Sequence, residues 1–460
     1  MTTADSRKKK PLRFDVIVIG GGLLGLSAAY NCARNGKRVA VIERSNFYNQ
    51  SGSSGDLIRM FRTMYTEYEL QVLAYQAKDL WKELEEEYRL DTGKSVELLR
   101  LTGQANFGDE HYGTAAQGDL KKPRENLRKG NKQVTDVSMK QVEKKYNLRN
   151  LRNLIPGDRW VGYENDDCGV INVPETLRAL RRLADGRHGS LFLDNAEVYE
   201  VHTPKKKSDP AVRVKVRGSG VPKGGQELTA DKCIITCGVW TNDILKNLGL
   251  ELDYEVWEMV YEYFATDPDS VPSEQFPKMW VQFATEDKET GRSNLFYGFP
   301  SVPWGPDNMV KLGWEDATMN RLTLKELKQR RAEGLGQVAT TVDVGYASRF
   351  VKEHCVGIDP QPAFSGVCLH AAFDDYMSVL GRLPRTAAGE DPDTADKRAW
   401  RDHYVVCAGG WAAKFTPSFG RMMWELAFDD KAQVNPKLLD ITRTRRTGKR
   451  KGQAYLNKLE

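Results

Sequence analysis

The stretch FDVIVIGGGLLGLSAAYNCARNGKRVAVIE, residues 14–43, decides how the rest of the chain is read. Residues 14–19 are an apolar run rich in β-branched side chains, which suits a buried strand. A glycine-rich turn follows, then the helical pattern LSAAYNCARNG, then a second apolar run, RVAVIE, at 38–43. The order is strand, glycine loop, helix, strand. Gly20, Gly22 and Gly25 satisfy G-x-G-x-x-G at the junction of strand and helix. In that pattern the first glycine permits the tight turn and the second lets backbone approach a pyrophosphate. The third allows helix and strand to pack closely. The helix N-terminus adds unpaired N–H groups and the positive end of its dipole. Glu43 ends the second strand 18 residues after Gly25, where a carboxylate can hold ribose hydroxyls. These features predict a dinucleotide site. No second G-x-G-x-x-G occurs, so a separate nicotinamide domain is not expected, and a flavoenzyme is favoured.

A chain of 460 residues is long for a single core, so two lobes are expected. Seven cysteines, at 32, 168, 233, 237, 355, 368 and 407, are odd in number and scattered through apolar runs. That is the pattern of buried free thiols in a reducing compartment. The N-terminal MTTADSRKKKPLRF has no apolar core and does not read as a secretory signal. The longest apolar run, 14–30, is interrupted by four glycines, so no membrane span is expected. Net charge is +5, yet RKKKPLR (7–13) carries five basic residues and RTRRTGKRK (443–451) six. Both ends read as solvated tails, the C-terminal one over 436–460, which argues against a nucleic-acid surface. No metal-ligand spacing is present.

An amphipathic helix is predicted over 69–90, with Leu70, Leu73, Leu80, Trp81 and Leu84 at helical spacing. The polar stretch 109–147 reads as loops and short helices. A helix is expected at 173–185, strands near 195–202 and 211–217, and a strand–glycine–helix unit at 231–245. Strands are expected at 254–266, within 295–314, at 364–373 and at 403–408. Helices are expected from 324 to 353 and from about 418 to 428. The class is α/β (α+β): a Rossmann-type βαβ domain joined to a mixed, largely antiparallel sheet.

Five separated motifs carry a resemblance: the N-terminal unit, SGSSGDLIRMFR (51–62), YGFPS with KLGW (297–314), GVCLHAAFDDYMSVLG (366–381) and CAGGWAAKFTPSFG (407–420). In this order, from about 14 to 428, they resemble the D-amino-acid-oxidase superfamily. The nearest branch holds monomeric sarcosine oxidase, N-methyltryptophan oxidase, pipecolate oxidase and fungal fructosyl-amine oxidases. The resemblance implies a glutathione-reductase-like FAD domain from 1–95, 155–246 and 366–435, with 96–154 and 247–365 forming the substrate domain. It implies FAD tethered through its 8-methyl group to Cys368 (8α-S-cysteinyl), with Arg59 or Arg62 supplying positive charge beside the thiolate. Cys355 is the competing cysteine but lacks the motif. Lys311 matches the lysine that promotes reaction with O2, where a fixed cation stabilises the anion formed by electron transfer. Tyr297 matches an active-site tyrosine. Lys414 with Arg62 would clamp a substrate carboxylate. Gly20, Gly22, Gly25, Glu43, Arg44, Ser54, Trp240, Gly410 and Lys414 make up the remaining cofactor set. Sarcosine-oxidase-like members carry histidine four residues after the lysine; this chain carries Glu315. Tyr261, Tyr263, Trp280, Trp304 and Trp411 are read as lining a wide pocket.

The implied enzyme is a monomer, cytoplasmic or peroxisomal, acting on a small amine with O2. It would oxidise the C–N bond of a secondary or N-methyl amine to an imine, forming H2O2. Two alternatives remain at this point: an oxidase whose iminium is captured by a phenolic ring, and a deglycating fructosyl-amine oxidase.

Overall fold

The structure, a computed structural model, describes residues 11–111, 113–114, 118–206, 208–267, 269, 279–283, 295–315, 320–333, 339–445 and 450–459. Its first layer grows from the N-terminal unit. Strand Leu12–Ile19 lies between Val39–Ile42 and Gln226–Ile235, parallel to both, with Ile17 facing Ala40 and Cys233 across the ladders. Leu191–Leu193 and Tyr404–Ala408 add parallel strands, and Glu197–His202, Val212–Arg217 and Val379–Arg382 add antiparallel ones, giving eight strands. Parallel strands buried on both faces need continuous apolar runs, which is how FDVIVI and RVAVIE read.

Helix Leu23–Arg34 covers this sheet and buries ten residues, Leu23 and Gly25–Ala33. It packs against Val173–Ala184 and against Thr416–Phe428, near the other end of the chain. Contact with the latter is close: a Cβ on Gly420 would stand 2.1 Å from the Ser27 hydroxyl, which donates to the Thr416 carbonyl at 2.8 Å. Helix Tyr68–Thr92 buries Leu70, Leu73, Trp81 and Leu84.

The second layer is a nine-stranded sheet built around Glu255–Thr266, Met309–Trp314, Phe296–Phe299, Met279–Phe283, Gln104–Asp109 and Trp160–Asn165. Only the pairing of Met279–Phe283 with Gln104–Asp109 is parallel. Two strands cross the expected domain boundaries. Trp160–Asn165 lies inside the segment expected to start the FAD domain at 155, yet it pairs with Gln104–Asp109 in the second sheet. Ile358–Ala372 runs unbroken across 366 because it pairs along its length with Glu255–Thr266. The strand carrying Cys368 therefore extends from the second sheet.

The C-terminal segment also departs from expectation, since it does not form a solvated tail. Leu456–Lys458 pairs with Leu250–Leu252, and Ile441, Tyr455 and Leu456 are buried. Arg443 grips Asp375 at 2.8 and 3.0 Å, and Arg445 reaches Asp374 at 3.0 Å and also Asp253. Arg443 and Arg445 are ion-pair partners for the turn that follows the Cys368 strand. Residues 446–449 of this segment, and 7–10 of the N-terminal one, lie outside the described residues.

On the second sheet, Glu262 is fully buried and its oxygens have no hydrogen-bond partner among the described residues. Burial first, and the charge of Asp343 on helix Thr341–His354 second, push its carboxyl up to about 8. The folded chain thus holds a proton that the unfolded chain releases near the ordinary carboxyl pKa. Stability is complete below that value and falls as pH climbs toward 8. Glu262→Gln is expected to flatten the decline in Tm between pH 5 and 8; an unchanged slope would assign the decline to other groups. No helix among the described residues is long and apolar enough to cross a membrane.

Candidate active site

One continuous cavity runs between the layers, lined at one end by Gly20, Gly22, Glu43, Arg44, Ser54 and Trp240. Each glycine of the fingerprint has a steric reason. Gly20 sits at φ +104, and a Cβ there would lie 2.5 Å from the Thr236 carbonyl oxygen. A Cβ on Gly25 would lie 1.9 Å from the Gly20 carbonyl oxygen, and one on Gly22 would lie 2.7 Å from the Ser54 hydroxyl. The Ser54 hydroxyl accepts from the Leu23 N–H at 3.0 Å, at the head of the first helix. Glu43 is fixed at its strand end by the N–H groups of Gly21 (2.8 Å) and Ser45 (2.9 Å). The guanidinium of Arg44 lies 4.3 Å from the centre of the Trp240 ring, and that of Arg331 4.7 Å. A cradle that a single Cβ would fill, a helix N-terminus and a fixed terminal acid fit a dinucleotide pyrophosphate and ribose.

At the other end the cavity reaches Arg59, Arg62, Tyr261, Tyr297, Lys311, Glu315, Cys368, His370, Trp411 and Lys414. Its organising group is Asp56, which the sequence reading did not single out. The carboxylate is buried and accepts from Arg59 Nη1 (2.5 Å), Lys311 Nζ, the Tyr263 hydroxyl (2.8 Å) and its neighbour's Leu57 N–H (2.6 Å). Burial alone would raise the Asp56 carboxyl; the charges of Lys311 and Arg59 and the hydrogen bonds outweigh it and hold it below the usual range. Burial pulls Lys311 below its ordinary value, with Asp56 opposing and Arg59 assisting. Lys311 also faces the rings of Phe299 (4.5 Å) and Tyr261 (5.0 Å). The other nitrogen of the Arg59 fork, Nη2, donates to Cys368 Sγ at 2.7 Å. Arg59, not Arg62, is the cation beside the thiol.

Arg62 belongs to a second group. It and Lys414 are both buried, with their charges 4.8 and 5.7 Å from the centre of the Tyr65 ring. Neither is within ion-pair distance of a carboxylate among the described residues. Burial, and then the charge of Arg62, drive the Lys414 ammonium well below its usual range, with Glu315 opposing. The loop that carries Lys414 is fixed by helix Tyr68–Thr92, whose Trp81 Nε1 donates to the Lys414 carbonyl at 3.0 Å. In the same loop Gly410 sits at φ +63, where a Cβ would lie 2.2 Å from the Ser378 hydroxyl. Burial, followed by the charge of Glu315, raises the Tyr297 phenol. Its ring lies so close over Gly313 that a Cβ there would stand 2.4 Å away. That contact is the steric reason for glycine in the KLGW strand.

The cavity thus brings together most of the site residues expected from sequence and adds His370, while Asp56 and Tyr65 are buried behind its wall against Lys311, Arg62 and Lys414. Of the aromatics read as pocket walls, Tyr261 and Trp411 line it. Tyr263 is buried behind it on Asp56, and Trp280 packs into the core against Phe107 and Phe350. Trp304 packs with the apolar cluster of Val281, Phe299 and Tyr297 but does not itself line the cavity, and Cys355 is buried among Phe350 and Val351, away from it. All seven cysteines are free.

A dinucleotide cradle opening onto a thiol, a buried lysine and a pair of buried cations defines an oxidoreductase built around a bound redox dinucleotide. The family model described as DAO, FAD dependent oxidoreductase, matches residues 15–426, and the chain belongs to that family. It is similar to a protein of Dictyostelium discoideum described as a bifunctional amine oxidase, at 35% identity over 91% of this chain. This chain spans 36% of the length of that relative. Human peroxisomal sarcosine oxidase is 25% identical, with 90% of this chain and 92% of the human protein aligned. Among solved structures, NikD, an unusual amino acid oxidase essential for nikkomycin biosynthesis, superposes in its open form with a TM-score of 0.74 and 26% identity. That match covers 93% of this chain and 97% of NikD.

Proposed function

We propose that the chain is an FAD-dependent amine oxidase acting on a secondary or N-methyl amine that bears a carboxylate. The observation that carries this reading is the buried pair Arg62 and Lys414 in the cavity wall, two cations with no ion-paired carboxylate among the described residues. Such charges are costly unless a ligand pairs them, and a planar arginine fork beside a point-charge lysine suits a carboxylate. The names of the relatives, amine and sarcosine oxidases, support the amine as the oxidised group.

Bound FAD supplies a two-electron acceptor that O2 restores, so an amine R2CH–NHR′ and O2 give the imine and H2O2. Gly22, Ser54, Glu43, Arg44 and Trp240 would hold the nucleotide, and Gly410 would bring backbone close to the ring. Lys311, anchored on Asp56, supplies a fixed cation near the place where O2 is reduced. Tyr297 and Glu315 border the substrate. Cys368 is the attachment point for the flavin. Its sulfur would hold the ring covalently, with O2 as the oxidant that such an attachment requires. Arg59 is the group placed to steady sulfur as an anion during attachment. A monomer in the cytoplasm or the peroxisome is consistent with this reading.

Acid precipitation tests the tether: yellow colour should stay in the pellet and move to the supernatant in Cys368→Ala. Flavin washing out of the unaltered protein would reject covalent attachment. Peroxide release with sarcosine, N-methyl aromatic amino acids and fructosyl-valine tests the reaction, and silence with all three would reject it. Glu315, buried where sarcosine-oxidase-like chains carry histidine, favours a second reading in which a phenolic substrate captures its own iminium. Turnover confined to small sarcosine-like amines would sink that version.

A further inference from the structure

His370 follows Cys368 by two residues on one strand and lines the same cavity. Its ring is stacked on Trp411, with centres 4.4 Å apart and planes 10° from parallel. It is 7% exposed, and its ring nitrogens have no hydrogen-bond partner among the described residues. Burial first, then the charges of Lys414 and Arg59, lower its pKa to about 4, so the imidazole stays neutral. A neutral imidazole carries one donor and one acceptor nitrogen.

Apart from the hydroxyls of Tyr261 and Tyr297, few side chains at this end of the cavity can accept a hydrogen bond. Arg59, Arg62 and Lys414 can only donate, and Asp56 is taken by Lys311, Arg59 and Tyr263. Glu315 can accept, but an anion beside an amine favours the ammonium form, which has no lone pair to expel hydride. A neutral imidazole accepts N–H from a neutral amine and leaves the lone pair free. Fixed cations nearby oppose protonation of both the ring and the amine.

We propose that His370 binds the substrate nitrogen by accepting its N–H, and so selects secondary over tertiary amines. The proposal rests on the amine-oxidase reading. In the holoenzyme, kcat/KM for an N-methyl amino acid should exceed that for its N,N-dimethyl analogue by about tenfold more than in His370→Phe, the scale of one buried hydrogen bond. His370→Gln, which retains an acceptor, should keep most of the preference. An equal ratio in the unaltered protein and in His370→Phe would overturn the assignment.

A binding measurement separates this proposal from the reading beneath it. Pyrrole-2-carboxylate and furan-2-carboxylate share a carboxylate and a ring size, but only the first carries N–H. Their Kd values, read from the flavin absorbance of the holoenzyme without turnover, should favour pyrrole by about tenfold, and His370→Phe should erase that preference. If no amine is oxidised, the amine-oxidase reading fails while this comparison still decides the role of His370. No preference for pyrrole in the unaltered protein overturns it even if the Phe variant does not fold.

Discussion

Asp56→Asn is expected to destabilise the folded protein by about 3–5 kcal/mol, the usual cost of removing one partner from a buried ionic group. Asp56 accepts from Lys311 and Arg59 at once, and its own side chain is 1% exposed. Asparagine keeps the shape and tolerates the left-handed backbone at this position, φ +77. The substitution therefore isolates the charge. Lys311, lowered by burial and held charged by Asp56, would lose its anchor, and Arg59 would lose the contact that aims its other nitrogen at Cys368. Denaturant melts of the two proteins read the stability, and their acid limbs give a control. Because the Asp56 carboxyl is depressed, its contribution is present above the ordinary carboxyl pKa and lost as pH falls through the lowered value. That part of the acid limb should be missing from the asparagine variant. Equal stability, within about 0.5 kcal/mol, would mean that the two cations find another partner and that Asp56 is not the organising group.

The contrast between Asp56 and the glycine fingerprint explains what was readable in the sequence. Gly20 and Gly25 meet within one six-residue turn between a strand and a helix, so the local spacing reports that turn even though Gly20 and Gly22 also pack against Thr236 and Ser54. Cys368, Lys311 and Lys414 stand in motifs whose order is fixed along the chain. Asp56 serves groups 3, 207 and 255 residues away, and no local pattern records such a meeting. His370 did have a local signal: residues two apart on a strand share a face, so a cavity-facing Cys368 implies a cavity-facing His370. Trp280 shows the opposite difficulty, since an aromatic on a two-sided sheet reads the same toward a pocket as toward the core. The basic C-terminus looked solvated because its partners, Asp253, Asp374 and Asp375, lie 68 or more residues upstream. Composition shows charge but not pairing.

The largest functional loss is expected at the cation pair. Lys414→Met should lower kcat/KM for a carboxylate-bearing amine by roughly 10²–10³-fold, the range for truncating one member of a buried charge pair. The same variant should cost a methyl ester of that amine less than about tenfold, because the ester offers no charge to the clamp. Arg62→Met should behave alike, and the double variant should lose less than the product of the single losses if both cations hold one carboxylate. The substrate-free protein should move in the other direction. Burial and Arg62 drive the Lys414 ammonium well below its usual range, so the empty site holds charges that repel each other. Replacing one with a methionine of similar length relieves that repulsion and should raise Tm. A site built to bind an anion is strained without one. A variant that lost stability together with turnover, and lost ester and acid substrates equally, would show Lys414 to be a structural residue. The clamp requires opposite signs: a more stable empty protein, and a weaker grip on the carboxylate alone.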